Sequence, residues 1–321
     1  MAELRMAIYG TNGHQPTGLA LKTPRVRVVA AAGMPQAPGE ATSYDSLAAL
    51  LAKADADLVS ICSPRRDRQH EDIVAALEAG AHVLAEKPLA TTMAGLDAIR
   101  AGAVRTGRQV RSMTGMMYSP AFREIKGLID AGKLGDMVQV YAQKSYPYHD
   151  RRPQDPGVDG GLLEQTGVHA VSYIRHVTGL EFEEVFATDT GRGNPQAGGL
   201  RIAGHIVARL TGGALCAILC NYANPKGIGF WGNDQLRVHG TKGMAEVMDA
   251  GGRSLVALDE HEPVPLADPT VTGGYEQLLP AYVDHLLDGS AMLLSQEDSF
   301  VNTEVVIRAQ ESADRGEMVR L

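Results

Sequence analysis

The chain has 321 residues, of which 44% are hydrophobic, and a formal net charge of −8 at pH 7. That is enough apolar material for two packed domains, and it argues against a disordered chain and against the basic face on which nucleic-acid binders depend. Three cysteines, an odd and low count, argue against a disulfide scaffold and fit a reducing compartment. The opening Met1-Ala-Glu-Leu-Arg lacks a signal-peptide layout, and no apolar run nears the ~20 residues that span a bilayer, so a cytoplasmic protein is expected.

In chain order, Met6–Tyr9 is a short apolar strand that ends in a Gly10–Gly13 turn, with Pro16 in the first turn of the helix that follows. Val26–Ala32 is a buried strand. Tyr44–Ala54 is an amphipathic helix behind Asp45 and Ser46. Leu58–Ser63 is a strand, Asp72–Ala79 a helix stopped by Gly80, and His82–Ala85 a strand. Thr91 or Thr92 caps a helix that runs to about Arg105, and Gln109–Gly115 is again strand-like. Five strands separated by single helices imply a parallel sheet with right-handed crossovers, whose ligands sit at the carboxyl ends of the strands.

Beyond this the pattern changes. Val138–Lys144, Glu184–Thr190, His205–Leu210, Ala214–Cys220, Gln235–His239 and Met244–Val247 read as strands, several of them joined by hairpin-like turns. Gly160–Thr178 and Tyr275–Asp288 read as helices, and Asp150–Gly161 as a polar loop. The expected fold class is α/β, with an N-terminal Rossmann doubly wound parallel sheet over residues 1–120. An α+β domain with a large, mostly antiparallel open sheet follows over residues 121–321.

The first turn, Gly10-Thr-Asn-Gly-His-Gln15, approximates a dinucleotide fingerprint. Asn12 stands where the second glycine is expected and tolerates left-handed backbone, while Gln15 replaces the third glycine. Gly10, Thr11, Asn12, Gly13, His14 and Gln15 are therefore candidate cofactor residues, and a plain strand–turn–helix is the alternative. The second strand ends Ala30-Ala-Ala-Gly33 with no carboxylate for a ribose 2′-hydroxyl, so NAD and NADP are both admitted.

Two segments carry chemistry. Ala85-Glu-Lys-Pro88 ends the fourth strand of that pattern, at the ligand end of the sheet. There Lys87 either binds a substrate oxygen and stabilises a developing alkoxide or lies in solvent. In Gly160-Gly-Leu-Leu-Glu-Gln-Thr-Gly-Val-His169, Gln165 and His169 share a helical face; His169 is either a general base or a structural histidine. Tyr146, Tyr148, His149, Arg151 and Arg152 precede that helix and either contact substrate or form an exposed loop. Arg65, Arg66 and Arg68, beside Asp67, Glu71 and Asp72, read as a solvated loop or a small-anion contact. Cys216 and Cys220 read as packing on one face of a strand. No ligand cluster has metal-site spacing.

These segments resemble the glucose–fructose oxidoreductase, inositol dehydrogenase and MocA family (Gfo/Idh/MocA). The resemblance rests on Ala85-Glu-Lys-Pro88 with Ala76–Leu84 before it, on Asp57-Leu-Val-Ser-Ile-Cys-Ser-Pro64 and on Gly160–His169. The Gln235–Gly243 hairpin and Ser312–Val319 extend it over nearly the whole chain. It implies a nicotinamide cofactor and a sugar or polyol substrate, with Lys87 as partner of the substrate oxygen and His169 as proton acceptor. It also implies homodimers or homotetramers formed through the C-terminal sheet. Cofactor residues then include Ser63, Pro64, Glu86 and Lys87, and substrate residues Lys87, Tyr148, Arg151, Gln165 and His169, with Lys87, His169 and Gln165 catalytic. The chain departs from the family at Gln165, where Asp is frequent, at Ser172, and after Pro64, where either His70 or Gln69 takes the family's histidine position. The expected activity is hydride transfer between NAD(P) and a secondary alcohol, with Lys87 and His169 converging on one pocket. A redox-neutral hydrolase or epimerase on the same scaffold, or a cofactor-binding sensor without turnover, are the other readings; no nucleic-acid or membrane partner is expected.

Overall fold

The computed structural model describes residues 2–271 and 274–321; Met1, Thr272 and Gly273 lie outside the described residues. The chain forms two compact units. The first comprises Met1–Met113, Gly157–Gly160 and Tyr275–Thr303, and the second Thr114–Pro156, Gly161–Gly274 and Glu304–Leu321.

The first unit opens with β1 (Leu4–Tyr9), α1 (Thr17–Ala20), β2 (Val26–Ala32), β3 (Thr42–Tyr44), α2 (Leu47–Lys53) and β4 (Leu58–Ile61). It continues through α3 (Gln69–Glu78), β5 (His82–Ala85), α4 (Met93–Thr106) and β6 (Val110–Ser112). Capping follows the sequence signals: the Ser46 side chain accepts from Ala49 N, Thr92 accepts from Gly95 N, and Gly107 closes α4 in the left-handed region. Among the described residues the strands form one parallel six-stranded sheet in the order β3-β2-β1-β4-β5-β6. The sixth strand is β3, whose polar Thr42-Ser-Tyr44 carries no apolar alternation. All four residues of β4 are buried, as a strand covered on both faces requires. The order reverses between β1 and β4, which places the switch crevice beyond their carboxyl ends.

The rest of the chain runs through α5 (Pro120–Asp130), β7 (Met137–Ser145), α6 (Pro156–Asp159), α7 (Gly161–Thr178), β8 (Phe182–Thr190), β9 (Ala203–Leu210) and β10 (Leu215–Asn221). Then come β11 (Asn233–Gly240), β12 (Gly243–Met248), β13 (Arg253–Leu258), β14 (Val264–Pro265), α8 (Tyr275–Asp288), α9 (Gln296–Arg315) and β15 (Val319–Arg320). The second unit's sheet has nine strands among the described residues, in the order β14-β13-β12-β11-β7-β10-β9-β8-β15. It is antiparallel except where β10 runs parallel to β7. The expected hairpins at Thr211–Gly213 and Gly240–Gly243 join antiparallel partners. Cys216 and Cys220 are free and buried on one face of β10, which is packing, as expected.

Helix α7 lies against this sheet. A Cβ at Gly167 would meet Ile206 Cδ1 at 3.3 Å and Val306 Cγ1 at 3.5 Å, so a side chain there would push the helix away. The Tyr173 hydroxyl donates to the Gln143 and Gln235 carbonyls at 2.9 and 3.1 Å. Leu162, Leu163, Val168, Val171, Ile174 and Val177 are buried, and each contributes roughly 1.5–3 kcal/mol.

Candidate functional site

The Gly10 turn stands at the switch crevice of the first unit. Gly10 N donates to the Ala32 carbonyl at 3.0 Å, and Cys62 N donates to the Tyr9 carbonyl at 2.8 Å, which binds the ends of β1, β2 and β4 together. Left-handed backbone falls at Gly10 (φ +75°) and Gly13 (φ +135°) and not at Asn12. Asn12 acts through its side chain instead. Its Nδ2 donates to the Pro64 carbonyl at 3.2 Å and to the Val158 carbonyl at 2.6 Å. Gln15 is also turned inward: its Nε2 donates to the Tyr9 and Gly10 carbonyls, and its Oε1 accepts from Ser60 Oγ. Thr11, Gly13, His14 and Pro64 are exposed along the lip. Pro16 is the residue before α1 rather than inside it, and α1 has only four residues, so little helix dipole is available at the turn. Ser63 is buried and donates from Oγ to Asp72 at 2.6 Å.

The Glu86-Lys-Pro88 segment leaves β5 beside this turn. Gln69 is fully buried, and its Nε2 donates to the Glu86 carbonyl at 2.6 Å and to the Pro88 carbonyl at 3.0 Å. It therefore clamps the backbone on both sides of Lys87. Its Oε1 accepts from Arg66, whose Nη2 donates to the Asn12 carbonyl at 2.7 Å. The expected solvated arginine loop is corrected here for Arg66: it is 2% exposed and ties the turn to the clamp, whereas Arg65 and Arg68 pair with Asp67 and Glu71 at the surface. His70 packs beneath α4, where a Cβ on Gly95 would come within 2.9 Å of it, so Gln69 and not His70 stands at the Glu86–Pro88 segment. Gly160 (φ +95°) packs on the same segment, with a Cβ there 3.2 Å from Pro88 Cδ.

Lys87 is fully buried, with Nζ 3.6 Å from Glu86 Oε1. Glu86 accepts from His14 N and faces His14 Nδ1, both at 2.9 Å. Burial alone would raise the Glu86 carboxyl, but His14, by charge and hydrogen bond, together with Lys87 and Arg66, holds it down at about 2 from an ordinary 4.5. A depressed carboxylate stabilises the fold above its unfolded value and loses that contribution as pH falls through the folded one. The stability of the protein is therefore expected to drop by about 3 kcal/mol between pH 4.5 and 2 through this group. Urea unfolding of Glu86→Gln should show a correspondingly flatter acid limb; parallel limbs in the two proteins would refute the assignment. Tyr275, at the start of α8, donates to the His14 carbonyl and lies 3.6 Å from Met113 Sδ.

In the second unit, α7 carries Gln165 and His169 one turn apart. Gln165 is half-buried and its Oε1 accepts from the Tyr222 hydroxyl at 2.9 Å; His169 is 7% exposed. Glu164 is buried on another side of the helix. Of the five residues before α7, Tyr146 and Arg152 are buried, Tyr148 and His149 are half-buried, and Arg151 is exposed. Tyr148 Oη accepts from Gln196 Nε2 at 2.8 Å. The Arg152 guanidinium sits 3.4 Å above the Tyr222 ring, a cation–π contact that no local pattern announces. The short α6 interrupts the stretch expected to be loop throughout.

A switch crevice with an exposed, glycine-permitted lip fits a dinucleotide. The neutral end of β2, where Gly33 follows Ala32 at φ +65°, has no carboxylate to exclude a 2′-phosphate. Residues 7–114 match the oxidoreductase family with an NAD-binding Rossmann fold, and residues 122–246 match the GFO/IDH/MocA C-terminal domain. The chain is 32% identical over 151 residues to an uncharacterized oxidoreductase, ORF334, of Rhizobium meliloti, covering 46% of this chain and 45% of that one. It is 28% identical over 276 residues to inositol 2-dehydrogenase 1 of Saccharopolyspora erythraea, covering 82% of this chain and 77% of that one. The chain spans about half the length of the first curated relatives it matches. In fold alone it is similar to the WlbA dehydrogenase of Bordetella pertussis, solved with NADH and UDP-GlcNAcA. The TM-score is 0.85 at 18% identity, covering 100% of this chain and 98% of that one. No helix among the described residues is long and apolar enough to cross a membrane. With both halves matched, the chain belongs to the Gfo/Idh/MocA family of oxidoreductases and carries its NAD-binding Rossmann domain.

Proposed function

We propose that this oxidoreductase oxidises a secondary alcohol of a sugar or polyol, reversibly, with NAD or NADP. The first unit takes the dinucleotide at the Gly10–Gln15 lip with Ser63, Pro64 and Glu86 around it, and the second unit takes the substrate. When bound, the nicotinamide accepts or returns the hydride. Lys87 donates a hydrogen bond to the alcohol oxygen and stabilises it as negative charge develops. His169 accepts the hydroxyl proton at an imidazole nitrogen. Gln165 cannot ionise; with its carbonyl held by Tyr222, it positions the substrate or the imidazole. Tyr148 and Arg151 contribute further substrate contacts.

The observation that carries this reading is the ammonium of Lys87, buried at the carboxyl end of β5 with its flanking carbonyls clamped by Gln69. A lysine in solvent would need no such clamp. Screening sugars and polyols for NAD(P)H formation at 340 nm tests the reading, with NADH affinity measured alongside. Formation of NAD(P)H with one of them supports it. Tight dinucleotide binding with no turnover favours a sensor, and redox-neutral turnover with the cofactor retained favours a hydrolase or epimerase. Copies of the chain are proposed to pair through the open face of the nine-stranded sheet, where Val207, Leu215 and Met318 are exposed. The buried free cysteines suit a cytoplasmic setting.

A further inference from the structure

At one end of the second unit's sheet the carboxyl ends of β7 and β10 lie side by side, and β11 begins opposite them, with Ser145 paired to both Asn221 and Asn233. Trp231, the chain's single tryptophan, stands in the loop before β11 and is 57% exposed. Its ring lies against His149 (5.7 Å, 23°) and beside Tyr146 (6.1 Å, 48°). The next residue, Gly232, rests on a buried ion pair: a Cβ there would be 3.4 Å from Lys144 Nζ, which donates to Asp234 Oδ2 at 2.5 Å. The other oxygen of Asp234, Asn233 Oδ1 and Asn224 Nδ2 are buried with no hydrogen-bond partner among the described residues. Burying such groups unpaired is costly, which marks a place where a polar ligand completes the bonding. The cluster continues to helix α7: Arg152 spans the rings of Tyr146 and Tyr222, and Tyr222 donates to Gln165.

An open aromatic face beside unsatisfied buried acceptors and a donor is complementary to a ring with C–H bonds on its faces and hydroxyls at its rim. An apolar protein surface would leave those polar atoms unpaired, and an open-chain polyol would have to freeze several torsions to present an equally flat face. We propose that Trp231 is the platform of a substrate subsite that selects a saturated, polyhydroxylated six-membered ring, a pyranose or a cyclitol, over open-chain polyols. This deepens the proposed function and rests on it only in taking the bound ring to be the alcohol oxidised.

Because Trp231 is the only tryptophan, its emission reports on this subsite alone. The full chain with NAD⁺ would be titrated with D-glucose, D-galactose and myo-inositol, and with open-chain sorbitol. A saturable change with at least one ring compound and none with sorbitol is expected. On the ring compound turned over, Trp231→Ala should raise KM about tenfold, the loss of roughly one stacking contact, with kcat within about twofold, and Trp231→Phe should recover most of it. No emission change with any ring compound, or an unchanged KM in Trp231→Ala, would overturn the platform. Saturable emission changes without NAD(P)H formation would uphold the platform and defeat the dehydrogenase reading; turnover with unchanged emission would do the reverse.

Discussion

Lys87→Ala is expected to lower kcat by about 10²–10³-fold, the usual loss when one donor to a developing oxyanion is removed, while NADH affinity stays within a few-fold. The side chain is fully buried, and its flanking carbonyls are held by an equally buried Gln69, so the backbone of the segment survives truncation. Lys87→Arg should not rescue the activity: a planar fork is bulkier than a compact ammonium and places its charge elsewhere. His169→Ala should lose about 10²–10⁴-fold, as for a general base. Steady-state kinetics on the substrate found by screening, with NADH titration as control, decide the matter. Full turnover by Lys87→Ala would remove that residue from the reaction.

Gly10→Ala is expected to cost about 3–5 kcal/mol of stability and to abolish dinucleotide binding. Two effects add. The left-handed φ of +75° is unfavourable by about 1–2 kcal/mol for any residue with a Cβ. The added carbon would also lie 2.0 Å from the Cys62 carbonyl oxygen, and that carbonyl cannot retreat freely because Cys62 N is bonded to Tyr9 O and Cys62 O accepts from Asn12 N. Losses of this size belong to backbone strain combined with overpacking. In Gly13→Ala (φ +135°) the nearest atoms to the added carbon belong to the Glu86 side chain, at 2.6 Å, rather than to backbone, so the variant should be milder in stability while displacing the His14–Glu86 contact. Thermal unfolding and NADH titration distinguish the two variants, and a Gly10→Ala protein that melts and binds like the parent would contradict this account.

The parallel sheet was legible because strands covered on both faces must be nearly continuous in apolar residues, as Leu58–Ile61 is. The polar edge strand β3 was not. Helix α9 escaped for a related reason. Its interior buries Ser299, Asn302, Thr303 and Ser312, which breaks the apolar stripe. Its start does carry a legible signal: Ser295 and Asp298 cap each other reciprocally, with Asp298 N donating to Ser295 Oγ and Ser295 N to Asp298 Oδ2. In the candidate site, the candidates that could be named were those whose type suits the chemistry, Lys87, Gln165 and His169. The residues that hold the surroundings were hidden, because their partners are distant in sequence. Arg66 sits in a run of charged residues, and the Asn12 carbonyl it bonds is 54 residues away. Tyr222 lies 57 residues from the Gln165 it bonds, and Trp231 stands in a loop with no periodicity to mark it.

Neither compact unit is a continuous stretch of chain: the first is closed only by residues up to Thr303, long after its opening run ends at Met113. During synthesis the parallel sheet therefore emerges well before Tyr275–Thr303, the helices that complete its unit, and must wait for most of the second unit to be made. The nascent Rossmann half has unfinished apolar surface throughout that interval. Severing the polypeptide anywhere between those points would not release a self-sufficient nucleotide-binding fragment.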